Sequence, residues 1–151
     1  MTTEKKYIVA IDQGTTSSRA ILFNHAGENV ASGQLEHEQI FPHAGWVEHN
    51  PVEIWDNVRQ VVGIALANAG TNRHEVAAVG ITNQRETTIV WDKNTGEPVY
   101  NAIVWQDTRS QDLVDRLAAD GGPDRFRAIV GETLSTYASI TKIMWILENV
   151  E

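Results

Sequence analysis

Asp12-Gln13-Gly14-Thr15-Thr16-Ser17-Ser18-Arg19 puts a carboxylate, a glycine, a run of hydroxyls and a guanidinium within one short stretch. Asp12 closes the apolar run Tyr7–Ile11, so its carboxylate is expected at the end of a strand. Gly14 permits a tight backbone turn, and the amides and hydroxyls after it form a dense set of donors. Such a hairpin can cradle phosphate oxygens while Asp12 holds a magnesium ion through water. Arg19 adds a fixed charge suited to a phosphoryl group in transfer. The stretch is not a Walker A loop, because no Gly-Lys-Ser/Thr ending and no helix follow it. It also reads simply as a polar hairpin with a glycine turn and Ser/Thr filler.

A second stretch, Thr82-Asn83-Gln84-Arg85-Glu86-Thr87-Thr88, follows the apolar run Val76–Ile81. Arg85 beside Glu86 offers a donor fork and an acceptor, which suits a polyol whose hydroxyls do both. A surface loop with a solvated ion pair fits the same residues. Gly45-Trp46-Val47-Glu48-His49, Trp55, Trp91 and Trp105 can wall a pocket, but tryptophan more often serves a core, and helical periodicity assigns Trp55 to one. The histidines His25, His37, His43, His49 and His74 show no metal-ligand spacing and read as surface or loop residues. No Ser/His/Asp order suggests a hydrolase.

The elements that must position these groups are legible from periodicity and turn chemistry. Tyr7–Ile11 reads as a strand buried on both faces, Arg19–Phe23 as its hairpin partner, Asn24–Gly27 as a turn, and Glu28–Glu38 as a third strand. The opening is therefore a meander, not a βαβ unit. Asn50 as N-cap, Pro51 at the first helical position and Glu53 in a capping box open a helix. Its apolar stripe runs through Ile54, Val58, Val61, Ala65 and Ala69, and Gly70 ends it. Val76–Ile81 reads as a short buried strand, and Glu86–Trp91 with Val99–Trp105 as strands flanking the turn Asp92–Glu97. Thr108 with Gln111 forms a second capping box for a helix to about Ala119, which Gly121-Gly122-Pro123 interrupts. A last helix begins near Ser139. Hairpins followed by helix, strand and helix define an α/β layer architecture.

Composition narrows the function classes. The 12 Lys+Arg against 20 Asp+Glu, a net charge of −8, leave no basic patch for nucleic acid. No apolar run is long enough to span a bilayer, and the polar lead Met1–Lys6 is unlike a secretory signal, so a cytoplasmic location is expected. The absence of cysteine excludes disulfides, thiolate zinc sites and a thiol nucleophile. Length predicts a single compact domain.

Taken together, these stretches resemble the FGGY family of carbohydrate kinases, and within it the members that phosphorylate glycerol. The resemblance rests on Asp12–Arg19, Gly45–Pro51, Gly80–Trp91, Tyr100–Gln106 and the signature-like Tyr137-Ala138-Ser139-Ile140-Thr141-Lys142-Ile143-Met144-Trp145-Ile146. It runs colinearly through the whole chain, 1–151. It implies the N-terminal part of a ribonuclease-H-like domain, of the actin and hexokinase ATPase type, with a second domain absent. It implies ATP and Mg2+ as cofactors, glycerol as substrate, glycerol 3-phosphate as product, and a homo-oligomeric parent enzyme. By the same resemblance Thr16, Ser17 and Ser18 meet the nucleotide phosphates with Arg19 nearby, and Asp12 serves the magnesium. Arg85, Glu86 and Tyr137 bind the glycerol hydroxyls, and Trp105 packs on the carbon skeleton. The catalytic aspartate is expected downstream, so no catalytic residue lies in the chain and the fragment alone is expected to be inactive. Ala138 stands where relatives commonly carry Phe and Ile140 where a small residue is usual, which is expected to reshape the pocket beside Tyr137. A kinase for another polyol or sugar, and a truncated phosphate-binding module without catalysis, remain the alternatives.

Overall fold

The computed structural model describes residues 4–151; Met1, Thr2 and Thr3, the start of the polar lead, lie outside the described residues. In chain order the elements are β1 (Tyr7–Gln13), β2 (Ser17–Phe23), β3 (Asn29–Glu36), β4 (Glu48–His49), α1 (Pro51–Asn68), β5 (Val76–Thr82), β6 (Ala102–Ile103), α2 (Gln111–Ala118), α3 (Arg127–Val130) and α4 (Ser139–Asn149). They form two compact units, Met1–Glu38 with Val52–Gln84, and Gln39–Pro51 with Arg85–Glu151.

The first unit is a sheet in the order β3-β2-β1-β5 with α1 on one face. β1, β2 and β3 pair antiparallel, as the meander predicts, and β5 joins β1 in parallel. Strand alternation sends Val9, Ile11, Ala20 and Leu22 to one face, where they meet Val61 and Ala65 of α1. Leu22 and Val61 are fully buried, each such side chain stabilising by about 1.5–3 kcal/mol. Gly33 makes this packing possible: a Cβ there would stand 2.7 Å from the Val61 carbonyl oxygen and 2.8 Å from Ile64 Cβ. Asn57 and Asn68 of α1 donate to the carbonyls of Glu36 (3.1 Å) and Ser32 (2.9 Å), tying the helix to β3.

Several expectations need correction here. β1 is covered on one face only, since Ile8 is 50% exposed. β5 is exposed along nearly its whole length, because among the described residues its second edge has no strand partner. Trp55 is 62% exposed: one residue along from Ile54, it is rotated about 100° off the apolar stripe.

In the second unit β4 pairs antiparallel with β6, and Ala102, Ile103 and Val104 are fully buried. The hairpin around Asp92–Glu97 forms, with Asp92 N–H donating to Glu97 O and Val99 N–H to Val90 O. Its arms are irregular, held by isolated bridges at Thr88–Ile103 and Trp91–Pro98. α2 lies against α4 through the Ser110–Thr141 hydroxyl bond (3.0 Å) and the Arg116–Glu148 ion pair (2.6 Å). The second capping box does not form. Ser110 occupies the N-cap of α2, and the Thr108 hydroxyl donates to Gly45 O instead. Gly45 has φ 79, and a Cβ there would meet Thr108 Oγ1, so this crossing requires glycine. Among the described residues no helix is long and apolar enough to cross a membrane.

Candidate functional site

In the first unit the β1–β2 hairpin turns tightly at residues 14–17, closed by Gly14 N–H donating to Ser17 O (2.9 Å). Asp12 stands directly across from Arg19, both exposed at the sheet end. The Arg19 guanidinium donates through Nε (2.9 Å) and Nη2 (2.7 Å) to Gln34 Oε1. Gln34 Nε2 in turn donates to Ser17 Oγ (3.0 Å). With that oxygen already accepting, the Ser17 hydroxyl proton is free to donate to an incoming anion. Buried His37 of the segment after β3 fastens the hairpin tip, its Nε2 lying 2.8 Å from Thr15 O and its N–H donating to Thr16 O. His37 is thus a loop residue, though a buried one, whereas the surface-or-loop expectation is corrected for His49, which lies in β4, fully buried, with Nε2 2.9 Å from Gln39 Oε1.

Alternation splits the hydroxyl run. Ser17 and Arg19 share one face of β2, while Ser18 points to the core face, fully buried, with no hydrogen-bond partner for its hydroxyl. Ser18 thus does not stand with Thr16, Ser17 and Arg19. Half-buried Thr15 and exposed Thr16 supply the hydroxyls at the tip.

The second unit brings together Glu86, Trp105 and Tyr137. Glu86 has φ 64, the one positive-φ non-glycine among the described residues, a conformation that costs on the order of 1–3 kcal/mol and concentrates at functional sites. Its Oε2 accepts from both the N–H and the hydroxyl of Ser139, each at 2.7 Å. The Ser139 hydroxyl and N–H, with Lys142 and Arg85 nearby, hold this carboxyl below its usual range despite partial burial. Tyr137 meets Trp105 edge to face at 6.0 Å between ring centroids. Arg85 is exposed at the start of the loop. The solvated Arg85–Glu86 pair is not what forms; the carboxylate turns to α4 instead.

Lys142, in the first turns of α4, is fully buried. Its ammonium donates to the carbonyls of Thr136 (2.7 Å), Tyr137 (2.5 Å) and Ala138 (3.3 Å). Burial pushes its pKa down to about 8, with Glu86 and Asp107 opposing the shift. No periodicity singles out this lysine.

Trp46 belongs to a different structure. It lies 3.8 Å from the Arg109 guanidinium carbon, and Trp145 at 4.8 Å also faces that group. Arg109, whose side chain is fully buried, pairs with Glu48 (2.7 Å) and Asp107 (2.8 Å). Tyr100 and Asn101 donate to Glu48, and Val47 N–H to Asp107. Burial alone would raise the Glu48 carboxyl; bonds from Asn101, Arg109 and Tyr100 outweigh it and hold the pKa low. This saturated network is scaffold, and it occupies the tryptophan read as a pocket wall. Trp91 is 60% exposed.

A cavity of about 570 Å³ opens beside Glu86 and Ser139, lined chiefly by Leu117, Phe126, Leu134 and Met144. Its hydrocarbon walls offer a polyol few donors, and neither Trp105 nor Tyr137 lines it. Ala138 and Ile140 border this cavity.

The description "FGGY family of carbohydrate kinases, N-terminal domain" matches residues 7–151. A glycerol kinase of Leifsonia xyli subsp. xyli is 73% identical over 146 residues, 97% of this chain and 29% of the relative. A glycerol kinase of Paenarthrobacter aurescens is 70% identical over the same shares. The crystal structure of Plasmodium falciparum glycerol kinase with ADP superposes with a TM-score of 0.86 at 38% identity, covering 97% of this chain and 29% of that one. The chain belongs to the FGGY family of carbohydrate kinases. Its fold is the N-terminal part of the ribonuclease-H-like fold shared by actin- and hexokinase-type ATPases. It spans 29% of the length of these curated relatives.

Proposed function

We propose that this chain is the N-terminal part of the first domain of a longer, cytoplasmic, homo-oligomeric kinase that transfers the γ-phosphoryl group of ATP to glycerol, giving glycerol 3-phosphate and ADP. The observation that carries this reading is 73% identity to a glycerol kinase over 97% of the chain. The chemistry of the two residue sets supports it, one rich in donors for phosphate and one pairing a cation, a carboxylate and aromatic rings for a polyol.

In this reading Thr15, Thr16 and Ser17 donate to phosphate oxygens, and Arg19 offsets charge on the transferring group. Arg85 donates to polyol hydroxyls and Glu86 accepts from them. Trp105 packs on the carbon skeleton, and Tyr137 donates through its phenol. The hydroxyl proton passes to a carboxylate outside these 151 residues, so the chain by itself is catalytically incomplete. The residues around Asp12 fit a magnesium ion: the carboxylate is exposed with no ion-pair partner among the described residues, and the neighbouring donors are hard oxygens. Among the described residues no three acidic or histidine side chains converge as a metal cage, which accords with an ion held by one carboxylate, waters and nucleotide phosphates. When bound, magnesium supplies neutralisation of phosphate charge.

The test is ATP-dependent phosphorylation by the protein extended to the length of its relatives, against glycerol, pentuloses and gluconate, beside the 151-residue chain. Glycerol turnover by the extended form alone is the expected result. Preference for a pentulose or gluconate would replace the substrate, and no turnover of any polyol would replace the activity with a binding role.

A further inference from the structure

The ammonium of Lys142 gathers three successive carbonyls, those of Thr136, Tyr137 and Ala138, on the segment that enters α4. This placement is costly in two ways. The side chain is fully buried, so its charge loses hydration. It also sits in the first turns of α4, where the helix dipole disfavours a cation. The hydrogen bonds go to neutral carbonyls, and the two carboxylates that act on it, Glu86 and Asp107, do so without an ion-pair contact. An apolar side chain would fill the same space without those costs, but it would leave the 136–138 backbone without its fastening.

We propose that Lys142 is a positioning residue for the polyol subsite: its ammonium clamps the 136–138 backbone and thereby sets where the Tyr137 ring stands against Trp105. Glu86 completes the arrangement from the other side, because it takes the Ser139 N–H and hydroxyl that immediately follow the clamped carbonyls. Residues 136–139 are thus held by a cation on their carbonyls and an anion on their donors. The aromatic pair Trp105–Tyr137 is carried on that fastened segment. The proposal rests on the reading of Tyr137 and Glu86 as polyol-binding residues.

The experiment compares Lys142→Met, similar in length without donors, and Lys142→Arg, which restores donors, in the full-length protein. Wild-type turnover of glycerol is established first. Absence of polyol turnover there sinks the functional reading itself, whatever the variants do. Given an active wild type, Lys142→Met is expected to raise KM for glycerol on the order of tenfold or more, since small misplacements of binding groups cost that much. KM for ATP should stay unchanged, and Lys142→Arg should recover part of the glycerol effect. A folded Lys142→Met with an unaltered glycerol KM would overturn the proposal and leave the functional reading intact. Equal rises in both KM values, or failure of both variants to fold, would likewise overturn it and assign Lys142 to stability alone.

Discussion

The Glu86 carboxylate accepts two hydrogen bonds from Ser139, from its backbone N–H and from its hydroxyl, each 2.7 Å long and joining residues 53 apart in sequence. The bonds connect a loop residue with left-handed backbone to the first residue of α4, whose N–H has no partner within the helix.

Ser139→Ala removes the hydroxyl bond and keeps the backbone one. It should cost about 1 kcal/mol, read as a lowered midpoint in urea unfolding of the intact protein. Glu86→Ala removes both bonds and strands the Ser139 N–H, so it should cost more than Ser139→Ala while raising KM for glycerol. A smaller loss in Glu86→Ala than in Ser139→Ala would contradict this geometry.

Arg109 is the hub of the buried network with Glu48 and Asp107. Arg109→Met leaves two buried carboxylates without their cation, and should destabilise the intact protein by about 3–5 kcal/mol. Arg109→Lys should recover little, because an ammonium cannot reproduce the planar fork or the stacking on Trp46. Thermal melts of the two variants side by side check both statements.

Stability should respond to pH in two windows. The carboxyls of Glu86 and Glu48 titrate below their ordinary value of 4.5. Their contribution is therefore present above that value and lost as pH falls through their folded pKa. Lys142 is shifted the other way for its type, from 10.5 down to about 8. Between those values the unfolded chain binds more protons, so this group makes stability rise with pH across the window. Unfolding midpoints measured from pH 3 to 10 (roughly the interval spanned by these groups) should show the acid loss. Lys142→Met should flatten the alkaline rise.

Neighbouring serines should behave oppositely. Ser17 Oγ accepts from Gln34 on the exposed face, whereas Ser18 Oγ is buried without a partner. Ser17→Ala should raise KM for ATP several-fold. Ser18→Ala should leave it unchanged and be neutral or stabilising, because it deletes an unsatisfied buried hydroxyl. ATP titrations of the two variants decide between them; a nucleotide defect in Ser18→Ala would restore Ser18 to the phosphate set.

Where an element depends on its own residues, the sequence was a good guide. The helix opening at Pro51 and closing near Gly70, the hairpin turns at Gly14 and Gly27, and the start of α4 at Ser139 follow from local propensity and turn chemistry. Exposure was harder to read. β1 and β5 look alike as apolar runs, yet whether each face is covered depends on distant elements. Trp55 differs from a core residue only by its angle around the helix.

By itself the sequence determined the α/β class, the tight hairpin after Asp12, the loop that carries Arg85 and Glu86, and the resemblance to a kinase family. Each is written in contiguous residues whose geometry follows from short-range sterics and hydrogen bonding. Only the tertiary structure decided that Ser18 faces inward, that His37 fastens the hairpin tip, that Trp46 covers Arg109, and that Lys142 and Glu86 grip residues 136–139. Those outcomes depend on strand register and on side chains meeting across long stretches of chain. One-dimensional periodicity does not specify such meetings, because the same spacing is compatible with many partners until packing selects one.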